Sequence, residues 1–169
     1  MSEILEINDQ IIANASLQAR QQAQSMLASL ENILNTTPDK MLKMVVDYTG
    51  IQLFTIEQLE KFSPNFSFIS YGDCLQRNCL VLEDELGNKL FIHDNPFDQQ
   101  VYTWASYLIN GYFELGFTHP IELKALLSRY ETHQHVLPQL IGLEQQQSQN
   151  LNTEEISLTS IANDSSQIV

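Results

Sequence analysis

The chain has 169 residues, 43% of them hydrophobic, which suits one domain of ordinary size with a buried core and a tail. Its 8 Lys and Arg against 21 Asp and Glu leave a formal charge of −13, a surface that repels phosphate backbones and anionic headgroups and so argues against nucleic-acid or direct membrane binding. No apolar run approaches the roughly 20 residues of a membrane span, and the acidic start "MSEILEINDQ" is unlike a basic signal peptide, which predicts a cytoplasmic protein.

Residues 11–34 read as one amphipathic helix, with Ile12, Ala15, Ala19, Ala23, Met26, Leu30 and Ile33 at three- and four-residue steps. "NTTPDK" stops it and starts another: Thr37 is the expected cap, Pro38 the first helical residue, and Gly50 the left-handed C-terminal residue. Met41, Leu42, Met44, Val45 and Tyr48 are carried on that second helix. "IQLFTIEQLEKF" then predicts a short extended piece and one helical turn. Residues 1–62 are accordingly expected to form an N-terminal helical region.

Residues 63–141 are the expected α+β domain. "SYGDCLQRN" reads as a two-turn helix. "CLVLEDELGNKLFIHD" is a hairpin in which Leu80–Leu82 and Leu90–Ile92 flank a turn holding Gly87 and Asn88. In "NPFDQQVYTWASYLI", Asn95 is the expected cap and Pro96 the first helical residue, with Phe97, Val101, Trp104, Ala105 and Leu108 on one face. "GYFELGF" predicts a third strand. Thr118 is expected to cap a last helix that points Ile121, Leu123, Ala125, Leu126 and Tyr130 largely inward. The order is α-β-β-α-β-α, a three-stranded sheet flanked by helices. Residues 142–169 are rich in Gln, Asn, Ser and Thr, the composition of a disordered interdomain linker.

Catalytic chemistry is not visible in this pattern. Gly111, Gly116 and Thr118 are spaced as in a phosphate-binding loop, but position 117 is Phe where the Lys would stand, and "YFEL" reads as strand. His133 and His135 are two apart, not the four that a helical metal pair wants, and His93 has no nucleophile placed beside it by any motif. Cys74 and Cys79 do not form a CxxC and read as reduced, half-buried packing residues. Glu83 and Asp84 read as turn chemistry. No catalytic, cofactor-binding or metal-binding residues are therefore expected.

The stretches "SYGDCLQRN", "CLVLEDELGNKLFIHDNPFD" and "YFELGFTHPIELKALLSRYE" together resemble the N-terminal domain of the secretion ATPases, the type II secretion ATPase and the type IV pilus assembly ATPase. "LNTTPDKMLKMVVDYTGIQLFTIEQLEKF" resembles the preceding part of that family more loosely. The sequence departs from the family pattern by placing Asn95 between Asp94 and Pro96. In the family a polar linker leads into a segment resembling "DSSQIV" at the start of the next domain, which implies that the chain is the N-terminal piece of a longer motor. ATP and magnesium would then belong to a core absent from this sequence, the piece alone would not be an enzyme, and the whole protein would be a homo-hexamer.

The resemblance implies one of two roles. In the type II branch this domain docks the motor onto the cytoplasmic domain of an inner-membrane platform protein. In another branch the region binds cyclic di-GMP through repeats bearing Arg and Gly. The corresponding "QARQQAQSMLASLENILN" has Arg20 but no Gly near it and no second Arg, so docking is the expected role and would hold the protein at the inner membrane through its partner. A regulatory N-terminal domain of a membrane glycosyltransferase is a further alternative. The expected contact surface comprises the helices from Pro96 to Asn110 and from Thr118 to Glu131. Tyr102 and Tyr107 are its candidate anchors, placed off the Phe97–Trp104–Leu108 face, and the acidic charge would speed encounter with a basic partner.

Overall fold

The computed structural model describes residues 6–131, and those up to Ser128 group into one unit. Three helices come first: α1 (Asp9–Gln22), α2 (Met26–Leu34) and α3 (Pro38–Thr49). Asn8 begins α1 by accepting from the Ile11 amide at 3.0 Å, and Ser25 begins α2 by accepting from Ala28 N at 3.1 Å. The single helix expected over 11–34 is thus two. Ala23 adopts φ 50° and ends the first, and the Ser25 hydroxyl starts the second. Pro38 and Gly50 stand where expected, Gly50 at φ 69°. Ile11, Ala15, Leu27, Leu30, Met41 and Val45 are buried where these helices meet.

A five-stranded sheet follows, with strands β1 (Gln52–Leu53), β2 (Ser63–Pro64), β3 (Cys79–Glu83), β4 (Lys89–His93) and β5 (Glu114–Phe117) in the order β1-β5-β4-β3-β2. The central three are the predicted ones. Each edge adds a two-residue strand: β1 runs parallel to β5 and β2 antiparallel to β3. Helices α4 (Ile56–Leu59), α5 (Tyr71–Arg77) and α6 (Gln99–Leu108), with helical residues 120–131 (α7), complete the α+β fold.

The hairpin β3–β4 pairs Glu83 with Lys89 and Cys79 with His93. Its turn is organised by the Asp84 carboxylate, whose Oδ1 accepts from the amides of Leu86 at 2.9 Å and Asn88 at 2.8 Å. These bonds, the Asn88 side-chain amide foremost, hold the Asp84 carboxyl below its ordinary range. Gly87 supplies the positive φ, 82°, that the turn requires. Strands β4 and β5 are parallel neighbours, so the chain must cross over the sheet between them, and α6 is that crossover.

Leu80, Val81, Leu82, Leu90, Phe91 and Ile92 are all buried, because both faces of the sheet are covered. Tyr102 of α6 meets the Phe91 and His93 rings on one face. On the other, Gly116 lies opposite Ile92 and under the Phe54 ring, where an added Cβ would come within 2.6 Å of Phe54. The side chain is absent at Gly116 because the Phe54 ring fills its place.

Candidate functional surface

Helix α6 begins at Gln99, three residues later than the start expected at Pro96. The Asp98 carboxylate caps it, accepting from Gln100 N and Val101 N at 3.1 Å each. Asn95 instead folds the approach, its side-chain oxygen accepting from Phe97 N. The buried face of α6 carries Val101, Tyr102 and Ala105, and Ile109 just beyond the helix is buried with them. That stripe is rotated from the expected Phe97–Val101–Trp104–Ala105–Leu108 face, since Leu108 is 40% exposed and Trp104 only half-buried.

The rotation separates the two predicted anchors. Tyr107 stands 81% exposed. Tyr102 is buried at 6% exposure, its hydroxyl has no hydrogen-bond partner, and burial pushes its phenol well above the ordinary range, with the charges of Asp98 and Asp94 adding to the effect. As a core residue Tyr102 is not a surface anchor, contrary to expectation.

Trp104 is the surface residue that the pattern hid. Its bulk suggests core, yet the Arg77 guanidinium at the end of α5 lies 4.3 Å from its ring centroid. Such a stack contributes on the order of 0.5–2 kcal/mol and holds the indole in place. Gln99, Gln100, Thr103, Trp104 and Tyr107 line a shallow, mainly apolar groove of about 470 Å³ along α6. The sequence placed Arg77 at the end of the helix expected at "SYGDCLQRN", but its stack on Trp104 joins two separate elements, α5 and α6, and depends on how they pack.

Gln99 and Gln100 also border a second cleft of about 320 Å³, with Ser16, Arg20, Asn95 and Phe97 among its other walls. The cleft is polar, offering an arginine, carboxamides and a hydroxyl. Asp98 lines it as well, although its Oδ1 is committed to the cap of α6. A third pocket, of about 290 Å³, is lined by Glu6, Ile7, Met44, Asp47 and Tyr48.

The remaining sequence candidates have structural roles. Gly111 is a loop residue at φ 85°, Gly116 is a packing glycine of β5, and the Thr118 hydroxyl donates to the Glu122 carboxylate at 3.0 Å, so the three make no phosphate loop. His93 is buried, its Nδ1 2.8 Å from the Asn95 carbonyl and its Nε2 3.1 Å from that of Arg77, which ties α5 to the approach of α6. Cys74 and Cys79 are free and wholly rather than half buried. Contact with the Cys74 thiol, and then burial, pushes the Cys79 thiol far above its usual range, which leaves it a poor nucleophile. Glu83 accepts from the Asn65 side chain beside the turn that Asp84 organises. On α7, Leu123, Leu126 and Leu127 are buried, whereas Ile121 is 73% exposed. Among the described residues no group of three or more His, Cys, Asp or Glu is placed to hold a metal ion, and no helix is long and apolar enough to cross a membrane. His133, His135 and the expected linker over 142–169 lie outside the described residues.

No family model and no curated protein matches the chain. Its fold resembles that of MshE. A solved structure of MshE with cdg aligns at a TM-score of 0.52, covering 73% of this chain and 90% of that one at 10% sequence identity. At that identity the likeness establishes a shared fold.

Proposed function

We propose that the chain is the N-terminal docking and regulatory domain of a secretion or type IV pilus assembly ATPase, held by the cytoplasmic domain of an inner-membrane assembly protein. The fold likeness to MshE, a type II secretion/type IV pilus ATPase, supports the assignment to such a motor. The observation that carries docking is the α6 surface: an exposed Tyr107, a half-exposed Trp104 under the Arg77 guanidinium, and an apolar groove between them. Trp, Tyr and Arg are the residue types that dominate interface energetics, and here all three are prearranged on rigid helices. The charge of −13 adds long-range attraction for a basic partner and acts on the association rate. In this reading ATP and magnesium serve a core outside this sequence, and the isolated chain does not turn over ATP.

The test is binding of the chain to the purified cytoplasmic domain of the inner-membrane protein. Tyr107→Ala and Trp104→Ala are expected to raise the dissociation rate at least tenfold with circular dichroism unchanged, and added salt to slow association. Wild-type dissociation in both folded variants would remove the α6 surface from the account.

A second reading is binding of cyclic di-GMP, and the cleft at Arg20 favours it: one guanidinium beside Ser16, Asn95, Gln99 and Gln100 could meet a phosphate and a base edge. MshE was solved with cdg. A saturable calorimetric signal with cyclic di-GMP, abolished by Arg20→Ala, would establish this reading. A flat titration would leave docking alone.

A further inference from the structure

We infer that the pocket between the start of α1 and the end of α3 receives an arginine or lysine side chain from a basic segment of a protein partner. The pocket has an apolar floor, Ile7 and Met44, and carboxylates of Glu6 and Asp47 on its rim. Tyr48 closes one side. Its hydroxyl donates to Asp9 Oδ1 at 2.6 Å, which fixes the ring, and the ring remains 45% exposed. An aliphatic stem against Ile7 and Met44, a cationic head between carboxylates and an aromatic ring beside it are the three features that recognise Arg or Lys. Neither Glu6 nor Asp47 has an ion-pair partner among the described residues.

Position selects the occupant. Tyr48 packs against Phe97 with ring centroids 6.2 Å apart, and Phe97 borders the cleft whose other walls, Gln99 and Gln100, begin the Trp104–Tyr107 groove. The acidic pocket therefore continues the proposed docking surface across α6, and a partner lying along that surface reaches it. The inference rests on the docking reading for its partner, but the pocket's preference for a cationic side chain can be measured alone.

The probe is a twelve-residue peptide alternating Arg and Leu, titrated into the full chain and followed by amide and methyl NMR, with a Glu/Leu peptide beside it. The expected result is saturable shifts at Ile7, Met44 and Tyr48 with the Arg peptide only. The variant Glu6→Gln/Asp47→Asn, which alters two exposed side chains, should weaken it at least fivefold, while Tyr107→Ala leaves those shifts unchanged. Shifts spread without saturation over the acidic surface, or an affinity unmoved by the double variant, would overturn the inference. Failure of the docking reading looks different: the inner-membrane partner is then insensitive to Tyr107→Ala, whatever the peptide does.

Discussion

Tyr102 illustrates how a single side chain can be right in chemistry and misplaced in geometry. A phenol that buries its ring but leaves its hydroxyl unpaired pays desolvation without a compensating bond. Tyr102→Phe is therefore expected to stabilise the fold by about 1 kcal/mol in urea denaturation and to leave partner binding unchanged. Asp94 presents the related problem for a charge. Burial raises its carboxyl above the ordinary range, outweighing the opposite influence of His93, whose Nε2 lies 3.5 Å from Asp94 Oδ1. The folded state thus holds the Asp94 proton to higher pH than the unfolded chain does. Its contribution to stability is greatest below the unfolded value, about 3.9, and is lost as pH rises through the raised folded value. Asp94→Asn should accordingly gain most over wild type at neutral pH, with the gain shrinking as pH falls through that window. A difference between the two denaturation curves that grew toward low pH would contradict this.

At the scale of elements, the hairpin and the bounds of α3 were legible because short-range chemistry sets them. Gly87 and Asn88 mark the β3–β4 turn, and Pro38 and Gly50 bracket α3 within their own few residues. The break between α1 and α2 was not legible, because Ala23 is a strong helix former held at φ 50° by its surroundings. Ala23→Gly removes the Cβ that disfavours this conformation and is expected to raise stability by up to about 1 kcal/mol, measured as an increase in the urea midpoint at constant slope. The two edge strands escaped for a different reason. Gln52–Leu53 and Ser63–Pro64 are too short for any alternation to register, and only β5 and β3 beside them make them strands. The phase of α6 was missed by its largest residue: Trp104 reads as core, but the Arg77 stack holds it at the surface, and Tyr102 takes the place on the sheet.

For the whole molecule, the α+β class and, from Ser70 onward, the α-β-β-α-β-α order were legible in the sequence. The candidate surface was legible in part. Tyr107 and the helix that carries it were found from spacing, whereas the Tyr48 pocket joins residues 6–7 to residues 44–48 and depends on how α1 and α3 pack. Together they outline one face running from Tyr48 past Phe97 to Tyr107. The most direct measurement is hydrogen–deuterium exchange along the full chain, with and without the cytoplasmic domain of the inner-membrane protein proposed as its partner. The account predicts slowed exchange in residues 44–48 and 97–107 and unchanged exchange at the β3–β4 turn around Leu86. Protection centred on that turn, with α6 exchanging as in the free chain, would contradict it.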